Sequence, residues 1–119
     1  MKKENVFVYG SLKRGYWNHV LLEDSDFVRY AQTEPKFQLY HNGHYPMMIE
    51  GALSVYGEVY KVTPDVLALL DRLEGVPHHY RREKILLDDG SKVWAYIYNC
   101  QIADYLKPCG DFWEGERRR

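Results

Sequence analysis

The order of apolar and polar positions along the chain changes period several times, and each change marks an element. Residues 5–9 are β-branched and aromatic and stop at Gly10, which predicts a strand running into a loop. Residues 10–18 hold two glycines with Lys13, Arg14, Tyr16 and Trp17 and read as a loop with room for one helical turn; a short helix is expected over 19–23. Residues 36–40 alternate polar and apolar, the pattern of a strand with one buried face. Asn42-Gly43 is a tight-turn pair, and 46–49 a short strand after it. The longest strand candidate is 54–62, where Gly57 predicts a bulge or a close backbone approach. Strands are also expected over 80–87 and 92–98, joined by the turn Asp88-Asp89-Gly90-Ser91. In the second of these, Val93, Ala95 and Ile97 alternate with Trp94, Tyr96 and Tyr98. Both faces are apolar, as in a central strand or a barrel wall.

The helical period shows clearly once, over 64–74. Thr63 stands at the N-cap, Pro64 at the first helical position, and Asp65 near the positive end. Val66, Leu67, Leu70 and Leu73 form one apolar stripe. Gly75 supplies the stop, and Pro77 prevents continuation. Strands outnumber helices, and short strands at regular spacing favour a small barrel or a strongly curved sheet. A single domain over 1–119, without repeats or linkers, is expected.

Composition narrows the classes. Eleven Tyr, four Phe and three Trp suit strands, and suit a surface or cavity where rings meet polar groups. Sixteen Lys+Arg against seventeen Asp+Glu give a net charge of -1, which opposes a nucleic-acid partner, including single strands stacked on exposed tyrosines. The one basic run, Arg117-Arg118-Arg119, reads as a solvated terminus. No apolar run approaches the ~20 residues of a membrane span. Val6-Phe7-Val8-Tyr9 is too short for a signal-peptide core. Cys100 and Cys109 are too few for a disulfide framework, so a cytoplasmic location and free thiols, buried or inert, are expected.

Three constellations could carry chemistry. Tyr9-Gly10-Ser11-Leu12 follows a strand directly; a glycine there lets successive N–H groups face an anion, although an ordinary turn has the same pattern. Gly10 and Gly15 are spaced like a phosphate loop, but Tyr16-Trp17 replaces its Lys and hydroxyl residue. At the helix end, Asp71 and Glu74 stand where a cation is usual. A carboxyl at that negative end, and partly buried, rises in pKa and suits acid/base work; a solvated surface carboxylate is the plainer alternative. Glu74 lies nearer the apolar stripe than Asp71 and is the better candidate for a half-buried acid. The third is His78-His79-Tyr80-Arg81-Arg82, with His41 and His44 elsewhere, and none of it has the partner spacing of a metal site. Ser11 lacks the flanks of a nucleophile elbow, and Cys100 lacks an activating neighbour, which leaves it a core or edge thiol.

Two of these pieces together resemble the γ-glutamylcyclotransferase-like superfamily, closest to its small γ-glutamylamine cyclotransferase branch. The first is Val6-Phe7-Val8-Tyr9-Gly10-Ser11-Leu12-Lys13-Arg14-Gly15, with Asn18 beyond. The second is Leu70-Asp71-Arg72-Leu73-Glu74-Gly75 followed by Tyr80-Arg81-Arg82. Tyr56-Gly57-Glu58-Val59-Tyr60 and Gly110-Asp111 match in order, with Phe112 inserted before the closing Trp113. The resemblance implies an α+β fold, a small mixed β-barrel with short flanking helices and a cavity at one side. It implies that Tyr9, Gly10, Ser11 and Leu12 cradle the α-carboxylate end of a γ-glutamyl group, that Glu74 is the catalytic base, and that Tyr80 borders the cavity. The implied reaction is closure of the substrate's own α-amine onto its γ-carbonyl, which releases 5-oxoproline and an amine. It needs no cofactor and no metal, and the only partner is the small γ-glutamyl substrate, with no nucleic acid and no membrane. A module of the same fold that binds a small carboxylate without turnover is the alternative; Glu74 opposes it, since a binder has little use for an acid there.

Overall fold

The computed structural model describes residues 2–115, so the expectation for Arg117-Arg118-Arg119 lies outside the described residues. The elements in chain order are β1 (Glu4–Val8), a 3₁₀ helix (Trp17–Leu22), β2 (Asp26–Gln32), β3 (Phe37–His41), β4 (Pro46–Glu50), β5 (Tyr56–Val62), α1 (Pro64–Leu73), β6 (Tyr80–Leu86), β7 (Lys92–Tyr98) and β8 (Lys107–Gly110). Five strands form one sheet in the order β2-β5-β1-β7-β6, and three form a second in the order β4-β3-β8. β1 is central: it pairs antiparallel with β5 and parallel with β7, where Val6 faces Trp94.

The alternation of β1 explains why it sits there. Phe7 and Tyr9 point to one face, into a core shared with Leu39 and Met48 of the small sheet and with Val93, Ala95 and Ile97 of β7. Val6 and Val8 point to the other, under Leu67 and Leu70 of α1 and Leu22 of the 3₁₀ helix. Both faces of the large sheet are covered, and β7 has the two apolar faces its sequence shows.

The fold is the expected mixture of α and β, with a correction on the barrel. No ladder of paired strands closes the large sheet on itself. Its outer strands β2 and β6 meet past their ends at one isolated bridge, Thr33 with Leu87. The sheet is therefore curled, with its edges in touch through hydrogen bonds such as Asp88 N–H to Gln32 O at 2.9 Å. Two strands were not expected, β2 and β8, and the helix expected over 19–23 is a 3₁₀ helix over Trp17–Leu22. Trp113, shifted by the inserted Phe112, is buried with its ring 5.1 Å from that of Tyr16.

Gly57 marks a close approach, and the bulge lies elsewhere, in β2 between Phe27 and Arg29. A Cβ on Gly57 would collide with the carbonyl oxygen of Val8 and lie 2.6 Å from Cζ of Phe7, a fully buried ring with nowhere to retreat. Gly57→Ala is therefore expected to cost about 1–3 kcal/mol by overpacking. Urea unfolding should show a lower midpoint at an unchanged slope; a midpoint equal to wild type would contradict this packing.

Candidate active site

α1 ends as its sequence dictates. Thr63 accepts the Val66 N–H on its side-chain oxygen at 3.3 Å, and Pro64 opens the helix. At the other end Gly75 takes φ +64°, a value that favours glycine. The Gly75 N–H then reaches Arg72 O at 3.2 Å and the Val76 N–H reaches Asp71 O at 3.1 Å, the paired bonds of a glycine-terminated helix. Glu74 is the capping residue, so its side chain leaves the helix just where the chain turns away.

That side chain borders a cavity of about 550 Å³. The turn after β1 borders the same cavity through Tyr9, Gly10, Ser11 and Leu12, and Tyr80 from the start of β6 also reaches it. All six residues singled out from the sequence thus meet at one place. Burial pushes the Glu74 carboxyl up to about 7. The expected rise is present, and its cause is loss of water.

In the turn, the carbonyls carry the internal hydrogen bonds. Gly10 O accepts from Lys13 N–H at 2.9 Å, Ser11 O from Asn18 N–H at 3.0 Å, and Leu12 O from Nδ1 of His19 at 2.9 Å. The N–H groups of Gly10, Ser11 and Leu12 serve none of these bonds. Asn18 Nδ2 also donates to Ser11 Oγ at 2.8 Å, which fixes the hydroxyl. The ring of Pro46 packs against Gly10 and holds the turn from the β4 side.

The two tyrosines occupy less open positions than a ligand contact suggests. The Tyr9 hydroxyl donates to Tyr96 O at 2.6 Å and accepts from Met48 N–H at 3.2 Å, and burial raises its pKa well above the usual value. Tyr9 forms wall, with its hydroxyl committed to the fold. The Tyr80 hydroxyl donates to Pro46 O at 3.0 Å, and its ring meets that of Tyr98 edge-on at 5.6 Å.

Further lining comes from residues that the sequence did not mark. Tyr96 and Tyr98, expected as barrel wall, both border the cavity, as do Tyr45 and Tyr105 from loops. Of the histidine pair, His79 borders it and His78 is exposed. His41 accepts a hydrogen bond from Gly43 N–H in the β3–β4 turn and does not itself border the cavity. Among the described residues no three His, Cys, Asp or Glu side chains come together as a metal site would require. Both cysteines are free, and of the two places open to Cys100, core or edge, it takes the edge, exposed just past β7 with its thiol 3.4 Å from His78 O. Among the described residues no helix is long and apolar enough to cross a membrane.

An anion-ready turn and a buried carboxyl on one cavity can be set beside known proteins. Residues 6–114 match the family described as gamma-glutamyl cyclotransferase, AIG2-like. The chain belongs to this family. A Vibrio cholerae protein named as a candidate gamma-glutamylcyclotransferase is 47% identical over 93 residues, covering 78% of this chain and 80% of its own. The gamma-glutamylcyclotransferase family protein YtfP of Escherichia coli is 36% identical over 102 residues, covering 86% of this chain and 88% of its own. The crystal structure of an AIG2-like protein from Mus musculus superposes with a TM-score of 0.79 at 24% identity, over 88% of this chain and 83% of that one. That likeness carries the fold alone. Membership supports gamma-glutamylcyclotransferase-type activity in general terms.

Proposed function

We propose that the protein is a cofactor-independent cyclotransferase that acts on γ-glutamylamines, with Glu74 as its acid/base group. The observation that carries this reading is the meeting of Glu74 with Gly10, Ser11 and Leu12 on one cavity. The cavity's size fits a small molecule, since such sites are typically ~300–1,000 Å³.

The turn receives the substrate's α-carboxylate on its N–H groups. This brings the α-amine towards Glu74. The neutral α-amine attacks the γ-carbonyl carbon with its lone pair as the Glu74 carboxylate takes a proton from it. A carbon–nitrogen bond forms in a five-membered ring, and the bond from the γ-carbon to the leaving nitrogen breaks. Glu74 returns its proton to that nitrogen. The products are 5-oxoproline and a free amine. Holding the γ-glutamyl arm bent removes entropy that the open chain would otherwise lose in the transition state. Tyr80 and Tyr98 wall the side where the leaving amine departs, and His79 stands at that edge.

The lining also bears on the leaving group. Among the described residues that border the cavity there is no Lys and no Arg. A leaving peptide or amino acid, the lysine of γ-glutamyl-ε-lysine included, brings a carboxylate, which would lose water without gaining a cation; a simple amine brings none. An unmatched polar group of this kind costs roughly 1–3 kcal/mol, about 5- to 150-fold in rate. Two free cysteines fit a reducing, cytoplasmic setting.

The test is release of 5-oxoproline from γ-glutamylamines whose leaving amine has no carboxylate, set beside γ-glutamyl-ε-lysine, γ-glutamyl dipeptides and glutathione. The carboxylate-free γ-glutamylamines are expected to lead by at least about fivefold in kcat/KM. Faster turnover of the peptides would overturn the leaving-group assignment. Ligand-dependent thermal stabilisation without any product would favour the binding module instead.

A further inference from the structure

The two working ends of the cavity stand on different elements, the turn after β1 and the cap of α1, and one chain of hydrogen bonds runs between them. Tyr9 Oη donates to the carbonyl of Tyr96 at 2.6 Å. Tyr96 Oη in turn donates to Oδ1 of Asp71 at 2.7 Å. The same oxygen lies 3.1 Å from Nε of Arg82, whose guanidinium sits 4.3 Å above the ring of Trp94. The backbone of Asp71 is held as well, since its carbonyl accepts the Val76 N–H in the helix cap. Asp71 is thus gripped from β6, from β7 and from the turn, three residues before Glu74.

Apolar packing holds the helix only up to Leu70, one residue before Asp71. α1 buries only Leu67 and Leu70, while Leu69 and Leu73 are exposed. Leu70 anchors the start of the last turn, and between it and Glu74 no further apolar side chain of the helix is buried. An acid there also opposes the helix dipole, and a partly exposed ion pair adds little to stability. As a device for stability alone, Asp71 is poorly placed. As a tether it is well placed, because its partners lie on the strands that wall the cavity.

We propose that Asp71 is a positioning residue: held by Tyr96 and Arg82, it fixes the last turn of α1 against β6 and β7 and so sets how Glu74 faces the Gly10–Leu12 turn. This rests on the reading of Glu74 as the base. Asp71 and Arg82 do not border the cavity, so they act through Glu74 and not on the substrate. The titratable groups that interact with Glu74 are Tyr9, Tyr80 and Tyr96, and His79 borders the same cavity.

Two variants test this. Tyr96→Phe removes one hydroxyl and keeps the ring; Arg82→Gln removes the other grip without touching the cavity. For each, kcat and KM are measured with a γ-glutamylamine, and the Glu74 carboxyl is titrated by carbon-13 NMR. A displacement of about 1 Å can cost up to ~100-fold in rate, so kcat is expected to fall at least about tenfold in Tyr96→Phe and severalfold in Arg82→Gln, with KM within about threefold. A loosened helix end admits water, so Glu74 should titrate below its wild-type value in both. Wild-type kcat and wild-type titration in both variants would overturn the proposal, as would losses confined to melting temperature or to KM. Should either variant fail to fold, the other decides. If the wild-type protein releases no 5-oxoproline at all, the reading of Glu74 as the base fails, and the NMR titration then judges the tether by itself.

Discussion

Glu74→Gln is expected to lower 5-oxoproline release from a γ-glutamylamine by roughly 10²- to 10⁴-fold, the usual contribution of a placed acid/base group. Glutamine keeps the size of the side chain and its contacts at the end of α1, so the cavity and KM should change little. What it lacks is a basic oxygen to take the proton from the α-amine. The assay is steady-state turnover across substrate concentrations, with far-ultraviolet circular dichroism to show that the fold is kept. Turnover within about threefold of wild type would remove Glu74 from the chemistry, since even weak general-base catalysis exceeds that.

The second large effect concerns pH, and its sign follows from burial. Glu74 titrates at 4.5 in its ordinary state and at about 7 in the folded protein. The reaction needs the carboxylate, so kcat/KM should rise with pH through about 7 and level off above it. Stability moves the opposite way. Between the two values the folded state holds a proton that the unfolded chain has lost, so native stability declines as pH rises through this window. The full difference corresponds to about 2–3 kcal/mol once the open mouth of the cavity is allowed for. Glutamine cannot ionise. Glu74→Gln should therefore match the wild type near pH 4 and exceed its stability by that amount above pH 8. Urea unfolding across this range measures it, and parallel curves for the two proteins would mean that Glu74 is not buried as described. Activity lost and stability gained by one substitution is the pattern of a strained functional group.

The sequence made some elements legible and hid others, for physical reasons. β1, β7 and α1 were readable because each buries a regular face, at period 2 in Phe7 and Tyr9 against Val6 and Val8, and at helical period in Leu67 and Leu70. Glu74 stood out because Gly75 fixes the helix end and a cation is the usual residue there. β2 was hidden because it is an edge strand whose exposed positions Asp26, Val28 and Tyr30 mix polar and apolar residues, so its alternating burial leaves no alternation of residue types in the sequence. β8 contains Pro108 and Gly110, which read as a tail, and it exists only through pairing with β3. The barrel expectation failed at a similar point, since closure depends on how Thr33 meets Leu87 across the fold. Tyr45 and Tyr105 come from loops, and Tyr96 shares its alternation with Tyr98. Nothing local told Tyr96 apart as the partner of Asp71, because that bond forms only when α1 is laid against β7.

The central claim is that the substrate's own α-amine closes onto its γ-carbonyl in the cavity shared by Glu74 and the Gly10–Leu12 turn. The most direct test uses a γ-glutamylamine labelled with nitrogen-15 at the α-amine, turned over by the wild-type protein in water labelled with oxygen-18. The label should appear in the ring nitrogen of 5-oxoproline, with unlabelled amine released and no oxygen-18 in the product. Nitrogen-15 glutamate carrying oxygen-18 would show hydrolysis by water and contradict the account.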